Sequence, residues 1–214
     1  VNQVIVSHLK ELGDSVLVFS SDIKEPMIVE GIRYVPSPQF TGWANLRPST
    51  YLKTFRAVCD DFCPTHIFFN GSITNKPLCY LEESFRRNLK VVAFIFMQDF
   101  FCSKYYANDA EGPCRRCLDY GLSYVFRSQC GARDSGFLKS LERYRLRKKL
   151  RKLLRKADYI GTSTDEQVQF YCDFGIPRER TFKLPLPFED TKTRGIVSCR
   201  GDYFVGIAQN RIEK

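Results

Sequence analysis

Apolar residues along this chain alternate between helical spacing and short continuous runs. Helical spacing is found over 1–12, 47–63, 78–88 and 164–175. Continuous runs of strand length are found over 16–19, 32–35, 66–69, 91–97, 159–161 and 181–184. Helices that alternate with short strands indicate βαβ units and parallel pairing. The pattern therefore predicts an α/β protein with a Rossmann-like, mainly parallel sheet flanked by helices.

The two ends of the chain depart from that pattern. A doubly wound sheet normally begins with a strand and a glycine-rich turn, whereas the first predicted element here is a helix. Near the other end, Pro185-Leu186-Pro187 and the polar stretch Asp190–Arg200 are typical of a linker, and Tyr203–Ile207 is typical of a new strand. We therefore expect 1–187 to form one Rossmann-like domain that lacks its first strand. Residues 188–214 would be a linker and the first strand of a truncated second domain.

The run Val91–Met97 is the strongest strand signal, because seven apolar residues suit a strand buried on both faces. Gln98 and Asp99 follow this run directly. Ligand clefts in open α/β sheets form beyond the carboxyl ends of strands, so these two residues are candidate cleft residues. The alternative for Asp99 is a capping bond to the following loop. The segment Asn70-Gly71-Ser72 follows another strand and is either part of a ligand cleft or a plain turn.

Four cysteines lie in the predicted loop 98–136. Cys114 and Cys117 have the C-x2-C spacing that lets two thiolates bind one zinc ion, and Cys102 and Cys130 flank them. Such a closed set of four thiolates would hold the loop and take no part in catalysis. Free thiols or one disulfide are the alternatives. The odd total of nine cysteines favours reduced thiols and a cytoplasmic location.

The net charge of +9 comes from one segment. Between Lys139 and Lys156 there are ten basic residues and one acidic residue, which together give +9. Leucines at helical spacing predict an amphipathic basic helix over 137–157. Its cationic face suits anionic lipid head groups or nucleic-acid phosphates, and the plain alternative is a solvated helix face. The candidate anion-binding residues are Arg145, Lys148, Lys149, Arg151, Lys152 and Arg155.

Four segments, in this order, resemble the amino-terminal half of a family 4, GT-B-type retaining glycosyltransferase. They are 9–20, 89–102, 157–185 and 204–214. The thiol-rich loop resembles a subset of that family. The resemblance implies the acceptor-side domain of an enzyme that moves a sugar from a nucleotide-sugar donor to a glycan or lipid-linked acceptor, as in the synthesis of cell-surface polysaccharides. It also implies a place in the cytoplasm or on the inner face of the membrane.

The resemblance assigns roles to particular residues. Gln98 stands where relatives have the His of a His-Asp pair in the catalytic cleft, and glutamine cannot titrate, so an orienting role remains beside Asp99. Lys214, with Arg211, resembles the donor-diphosphate site, where cations meet phosphate oxygens. The family's glycine-rich turn and second-half acidic pair have no counterpart here, so we expect the chain alone to be inactive.

A second class of function stays open. A zinc-stapled nucleic-acid-binding module would use Arg115, Arg116 and the basic helix to bind phosphates. The cationic face has no interleaved aromatic residues for stacking on bases, and simple binding does not need a large α/β core. Nucleic acid is therefore the less favoured partner.

Overall fold

A computed structural model of the chain describes residues 2–39, 48–70, 78–95, 102, 108–109, 112–121, 123 and 132–184. Its helices are α1 (Asn2–Glu11), α2 (Pro48–Phe62), α3 (Leu78–Arg86), α4 (Arg116–Asp119), α5 (Ala132–Leu154) and α6 (Asp165–Asp173). Its strands are β1 (Leu17–Ser20), β2 (Met27–Val29), β3 (Ile32–Pro36), β4 (His66–Asn70), β5 (Lys90–Phe94), β6 (Asn108–Asp109), β7 (Gly112–Pro113), β8 (Tyr159–Thr162) and β9 (Thr181–Lys183). The prediction of an α/β protein is confirmed.

The main sheet has four parallel strands in the order β4-β5-β8-β9. Strand β5 pairs with a neighbour on each side, and its residues Val91, Ala93 and Phe94 have no exposed surface. Ile95, equally buried, extends the ladder by donating its N–H to the carbonyl of Gly161 at 3.0 Å. The predicted central strand is thus confirmed as far as Ile95, and the rest of the predicted run lies outside the described residues.

A second sheet holds β1, β3 and β2 in that order, with β1 parallel and β2 antiparallel to β3. The sequence pattern missed β2, whose three residues are all exposed, because no burial imposes a pattern on it. A tight turn at Glu30 and Gly31, both with positive φ, joins β2 to β3. Among the described residues this sheet is not hydrogen-bonded to the main sheet, so the continuous sheet that we expected is divided in two.

Helix α2 connects the two sheets and sets their relative direction. Near its start the Tyr51 hydroxyl donates to the carbonyl of Gln39, just after β3, at 3.0 Å. Near its end Asp61 forms an ion pair with Arg33, at the start of β3. Helix α2 therefore runs antiparallel to β3, and β4, which begins four residues after α2 ends, runs in the same direction as β1 and β3.

Helix α3 lies beside α2 and runs parallel to it, because ion pairs join their successive turns. Glu83 on α3 is 3% exposed, and its carboxylate accepts from Arg56 of α2 at 3.0 Å and from Arg86 and Arg87. Arg87 also donates to Asp60 of α2 at 2.6 Å. Hydrogen bonds from Arg86 and Arg56 hold the pKa of Glu83 well below its usual range. We call these five residues the Glu83 network.

The main core lies between one face of the main sheet and helices α3, α5 and α6. The basic helix was predicted over 137–157, and α5 begins earlier, at Ala132, inside the predicted loop. Its leucines Leu150 and Leu154 are almost fully buried against β5 and β8 residues. Cys79 of α3 is also buried, and burial raises the pKa of its thiol to about 11.

Candidate functional site

The carboxyl ends of the four parallel strands meet at one edge of the main sheet. Asn70 ends β4 and is in register with Phe94 of β5, so the ends of these two strands are neighbours. The chain then continues from β5 toward Gln98 and Asp99, which lie outside the described residues, as do Gly71 and Ser72. The structure therefore shows the ends of β4 and β5, which precede the predicted cleft residues in the chain. That those residues line a cleft stays a prediction.

A polar cluster follows the end of β8 at the same edge. The carboxamide oxygen of Gln167 accepts from the Ser163 N–H at 3.2 Å, from the Ser163 hydroxyl at 3.1 Å and from the Thr162 hydroxyl. Thr162 has no exposed surface, so its hydroxyl depends on this bond. We call Thr162, Ser163 and Gln167 the β8-end cluster. Sequence reasoning missed it, although a polar run directly after a strand was a usable signal.

Helix α6 begins beside this cluster. Thr164 is its N-cap and accepts from the Gln167 N–H at 3.2 Å, which is one half of a capping box. In the reciprocal half of that motif the Gln167 side chain would bond to the N-cap N–H, whereas here it bonds to Ser163. Asp165 forms an ion pair with Lys183 at the end of β9. The start of α6 is therefore fixed at the carboxyl edge between β8 and β9.

Two arginines of α5 hold the cysteine-containing segment. Arg147, 5% exposed, donates to the carbonyl of Cys102 at 3.1 Å. Arg151, one turn further along the helix, donates to the carbonyl of Cys117 at 3.3 Å. Both cysteines therefore lie along the same helix, although about fifteen residues separate them in the chain.

The predicted zinc ligands are only partly described. Cys102, Cys114 and Cys117 are half-buried, and Cys130 lies outside the described residues. Within the part of the chain that the structure describes, no three His, Cys, Asp or Glu side chains are grouped closely enough to hold a metal ion. The described cysteines thus do not by themselves fit a zinc site. Zinc binding stays a prediction, which metal analysis of protein prepared under reducing conditions decides.

Arg151 and Arg155, two of the predicted anion-binding residues, contact Phe174 of the α6 segment. Their guanidinium carbons lie 5.1 and 4.4 Å from the ring centroid, which is the range of a cation–π contact. Burial lowers the pKa of Arg151 to about 10. Arg151 therefore belongs to the packing between α5 and α6 more than to an exposed cationic face.

The other predicted anion-binding residues are exposed on α5. Lys149 forms an ion pair with Glu82 of α3 at 2.8 Å. Arg145, Lys148 and Lys152 are exposed at helical positions i, i+3 and i+7, so they lie on one face over about 10 Å. We call these three residues the cationic stripe.

Arg211 and Lys214, the predicted donor-binding residues, lie outside the described residues, with the rest of 185–214. None of the described helices is both long enough and apolar enough to cross a membrane. No protein-family model and no curated protein sequence showed significant similarity to the chain.

Proposed function

We propose that this chain is the acceptor-side half of a GT-B-type retaining glycosyltransferase. The observation that carries the proposal is the position of β5, an inner strand of the main sheet in which Val91, Ala93 and Phe94 are fully buried; the chain continues from its carboxyl end toward Gln98 and Asp99. Clefts in open parallel sheets form at such strand ends. The β8-end cluster gives the neighbouring strand a polar, hydrogen-bonded end at the same edge. The reaction class comes from analogy with that family, because four segments resemble it in the same order.

In this proposal the complete enzyme transfers a sugar from a nucleotide-sugar to a glycan or lipid-linked acceptor. Asp99 and Gln98 contact the sugar or the acceptor hydroxyl, and because Gln98 cannot titrate it acts only through hydrogen bonds. The segment 70–72 lines the acceptor side. Arg211 and Lys214 would neutralise the donor diphosphate. The described residues supply the rigid support for the acceptor side of this cleft.

The test is a transfer assay with the longest natural polypeptide that contains residues 1–214. A panel of nucleotide-sugars is offered with membrane-extracted and glycan acceptors, and the wild type is compared with Asp99→Asn. Asp14, an exposed carboxylate that precedes β1 and so lies at the amino-terminal end of that strand, provides the matched control Asp14→Asn. We expect Asp99→Asn to lower kcat by about 100-fold or more and Asp14→Asn to leave it unchanged. Equal rates for both variants, or no transfer from any donor, would contradict the proposal.

We also propose that the cationic stripe docks the protein on an anionic membrane, where lipid-linked acceptors reside. Each lysine near such a surface contributes about 1 kcal/mol, so Lys148→Gln with Lys152→Gln should weaken binding to phosphatidylserine vesicles roughly 30-fold. The control removes two exposed lysines elsewhere, Lys24 and Lys53, and should change binding much less. Binding should also weaken as salt rises.

Nucleic-acid binding is the second candidate, because the same stripe would meet phosphates equally well. Duplex DNA titrations under the salt conditions of the vesicle assay separate the two. Tight, salt-sensitive binding to DNA together with indifference to anionic vesicles would favour the nucleic-acid module over the transferase.

A further inference from the structure

Strand β2 lies at the border of the second sheet and exposes its apolar side chains. Among the strands that the structure describes, its one neighbour is β3. The exposed fraction is 74% for Ile28 and 47% for both Met27 and Val29. An exposed apolar border strand offers its unpaired backbone groups to another strand. A partner for this border must therefore cover three consecutive apolar side chains.

The turn after β2 fixes which backbone groups point away from β3. Glu30 and Gly31 both have positive φ, as in the two-residue type I′ turn of a β-hairpin. The residues that flank this turn, Val29 and Ile32, are in register. The flanking pair of such a hairpin exchanges hydrogen bonds, and hydrogen-bonded pairs alternate along the ladder. Val29 therefore bonds to β3, whereas the N–H and the carbonyl of Ile28 point outward.

Two further groups complete this outward edge. A trans peptide directs its carbonyl and its N–H to opposite sides, so the Glu30 N–H points outward when the Val29 carbonyl points to β3. The same rule turns the Pro26 carbonyl outward, because Met27 is the next residue that bonds to β3. Proline has no N–H of its own. The edge thus presents the carbonyls of Pro26 and Ile28 and the N–H groups of Ile28 and Glu30.

This set of outward groups is complementary to itself. When two copies of β2 lie antiparallel with their Ile28 residues opposite each other, those residues exchange two hydrogen bonds. The Glu30 N–H of each copy then faces the Pro26 carbonyl of the other copy, which adds two more. An ordinary strand would place a carbonyl against Pro26, where there is no donor, whereas the type I′ turn directs the Glu30 carbonyl away from that position. The edge therefore fits a second copy better than it fits an unrelated strand.

The same register also matches the side chains. Ile28 lies against Ile28 of the second copy on one face of the sheet, and Met27 lies against Val29 of the second copy on the other face. All three exposed apolar side chains of each copy are then covered by apolar side chains.

We propose that β2 is a self-association surface, to which a second copy of this chain adds its own β2 antiparallel about a two-fold axis at Ile28. The two three-stranded sheets then form one continuous sheet. The contact is much smaller than a standard interface, so the dimer is weak and forms only at high concentration. The proposal is independent of the reaction that the protein catalyses.

Cross-linking of single cysteine variants tests the register. Directly opposed residues of an antiparallel pair have Cα atoms about 4.5–5.5 Å apart, which is within the range of a disulfide. Under mild oxidation Ile28→Cys should form a linked dimer at least about tenfold faster than the unmodified chain, whose own nine cysteines give the background. Met27→Cys and Val29→Cys should each stay near that background alone and should cross-link when mixed, because each faces the other across the axis.

The matched control is Leu12→Cys, because Leu12 is 66% exposed and lies outside β2. Equal cross-linking of Leu12→Cys and Ile28→Cys would reflect chance collisions and would overturn the proposal. Cross-linking of Met27→Cys alone, as fast as that of Ile28→Cys, would show another register and would overturn it too.

Sedimentation velocity measures the association itself. The mass of the unmodified chain should rise with concentration toward twice the monomer value. Ile28→Lys, which places two ammonium groups on the axis, should weaken the dimer at least about tenfold, and Leu12→Lys should leave it unchanged. Both side chains are exposed, so circular dichroism should show that both variants fold. A chain that stays monomeric up to about 1 mM, or a dimer that Ile28→Lys leaves intact, would refute self-association through β2.

Discussion

Replacing Glu83 by glutamine should destabilise the protein more than any other single charge change on α3. Its carboxylate is 3% exposed and accepts bonds from Arg56, Arg86 and Arg87. Breaking a buried ion pair typically costs about 3–5 kcal/mol. The three guanidinium groups are partly exposed and can turn to water, so we expect about 3 kcal/mol, at the lower end of that range.

The assay is thermal unfolding of Glu83→Gln beside a matched neighbour. A loss of about 3 kcal/mol should lower Tm by roughly 6–12 °C in a domain of this size. Glu82, the preceding residue, is 44% exposed and paired with the exposed Lys149, so Glu82→Gln should cost only about 0–1 kcal/mol. If the two variants unfolded at the same temperature, the Glu83 network would not stabilise the packing of α3 on α2, as its geometry indicates.

The pH dependence of that difference follows from the pKa of Glu83. Hydrogen bonds from Arg86 and Arg56 depress the pKa of the folded carboxyl below its usual value of 4.5, so the folded state favours the charged form. The stabilisation is therefore complete above pH 4.5 and is lost as the pH falls through the folded-state pKa. The Tm gap between wild type and Glu83→Gln should be constant near neutrality and should shrink on acidification. A gap that widened in acid would contradict this assignment.

Two further predictions concern β8 and α6. A methyl group added in Gly161→Ala would lie 2.6 Å from ring atoms of both Phe94 and Phe182, so we expect a loss of about 1–3 kcal/mol in denaturant unfolding; unchanged stability would mean that the buried Phe94 ring can move. Removing the N-cap in Thr164→Ala should cost about 1 kcal/mol, because the Gln167 N–H loses its acceptor. Thr164→Ser, which keeps the hydroxyl, should restore most of that stability, and failure to do so would assign the effect to the lost methyl group.

The strands whose ends border the candidate site could be predicted from the sequence, and the hydrogen bonds at those ends could not. The run beginning at Val91 identified the central strand, because burial on both faces leaves few polar choices. The helical spacing over 164–175 identified the helix that follows β8. The bonds from Gln167 to Thr162 and Ser163 were not predictable, because the capping motif directs that side chain elsewhere and only the packing of α6 on β8 redirects it.

The basic helix α5 also has features that the sequence predicted and features that it did not. Its charge and its leucines were plain from the sequence, and Arg145 and Lys148 are exposed as expected. Arg147 and Arg151 have the same chemistry and point instead to the backbone of the cysteine segment. Periodicity gives the face on which a residue lies, but it does not say which surface another part of the chain will cover.

By itself the sequence determined the alternation of helices and parallel strands, since hydrophobic spacing follows directly from the helical and extended repeats. Within the part of the chain that the structure describes, tertiary structure alone decided the separation of β1 and β3 from the main sheet and the burial of Glu83 among three arginines. These features depend on which distant segments meet, and contact between distant segments leaves no local pattern in the chain.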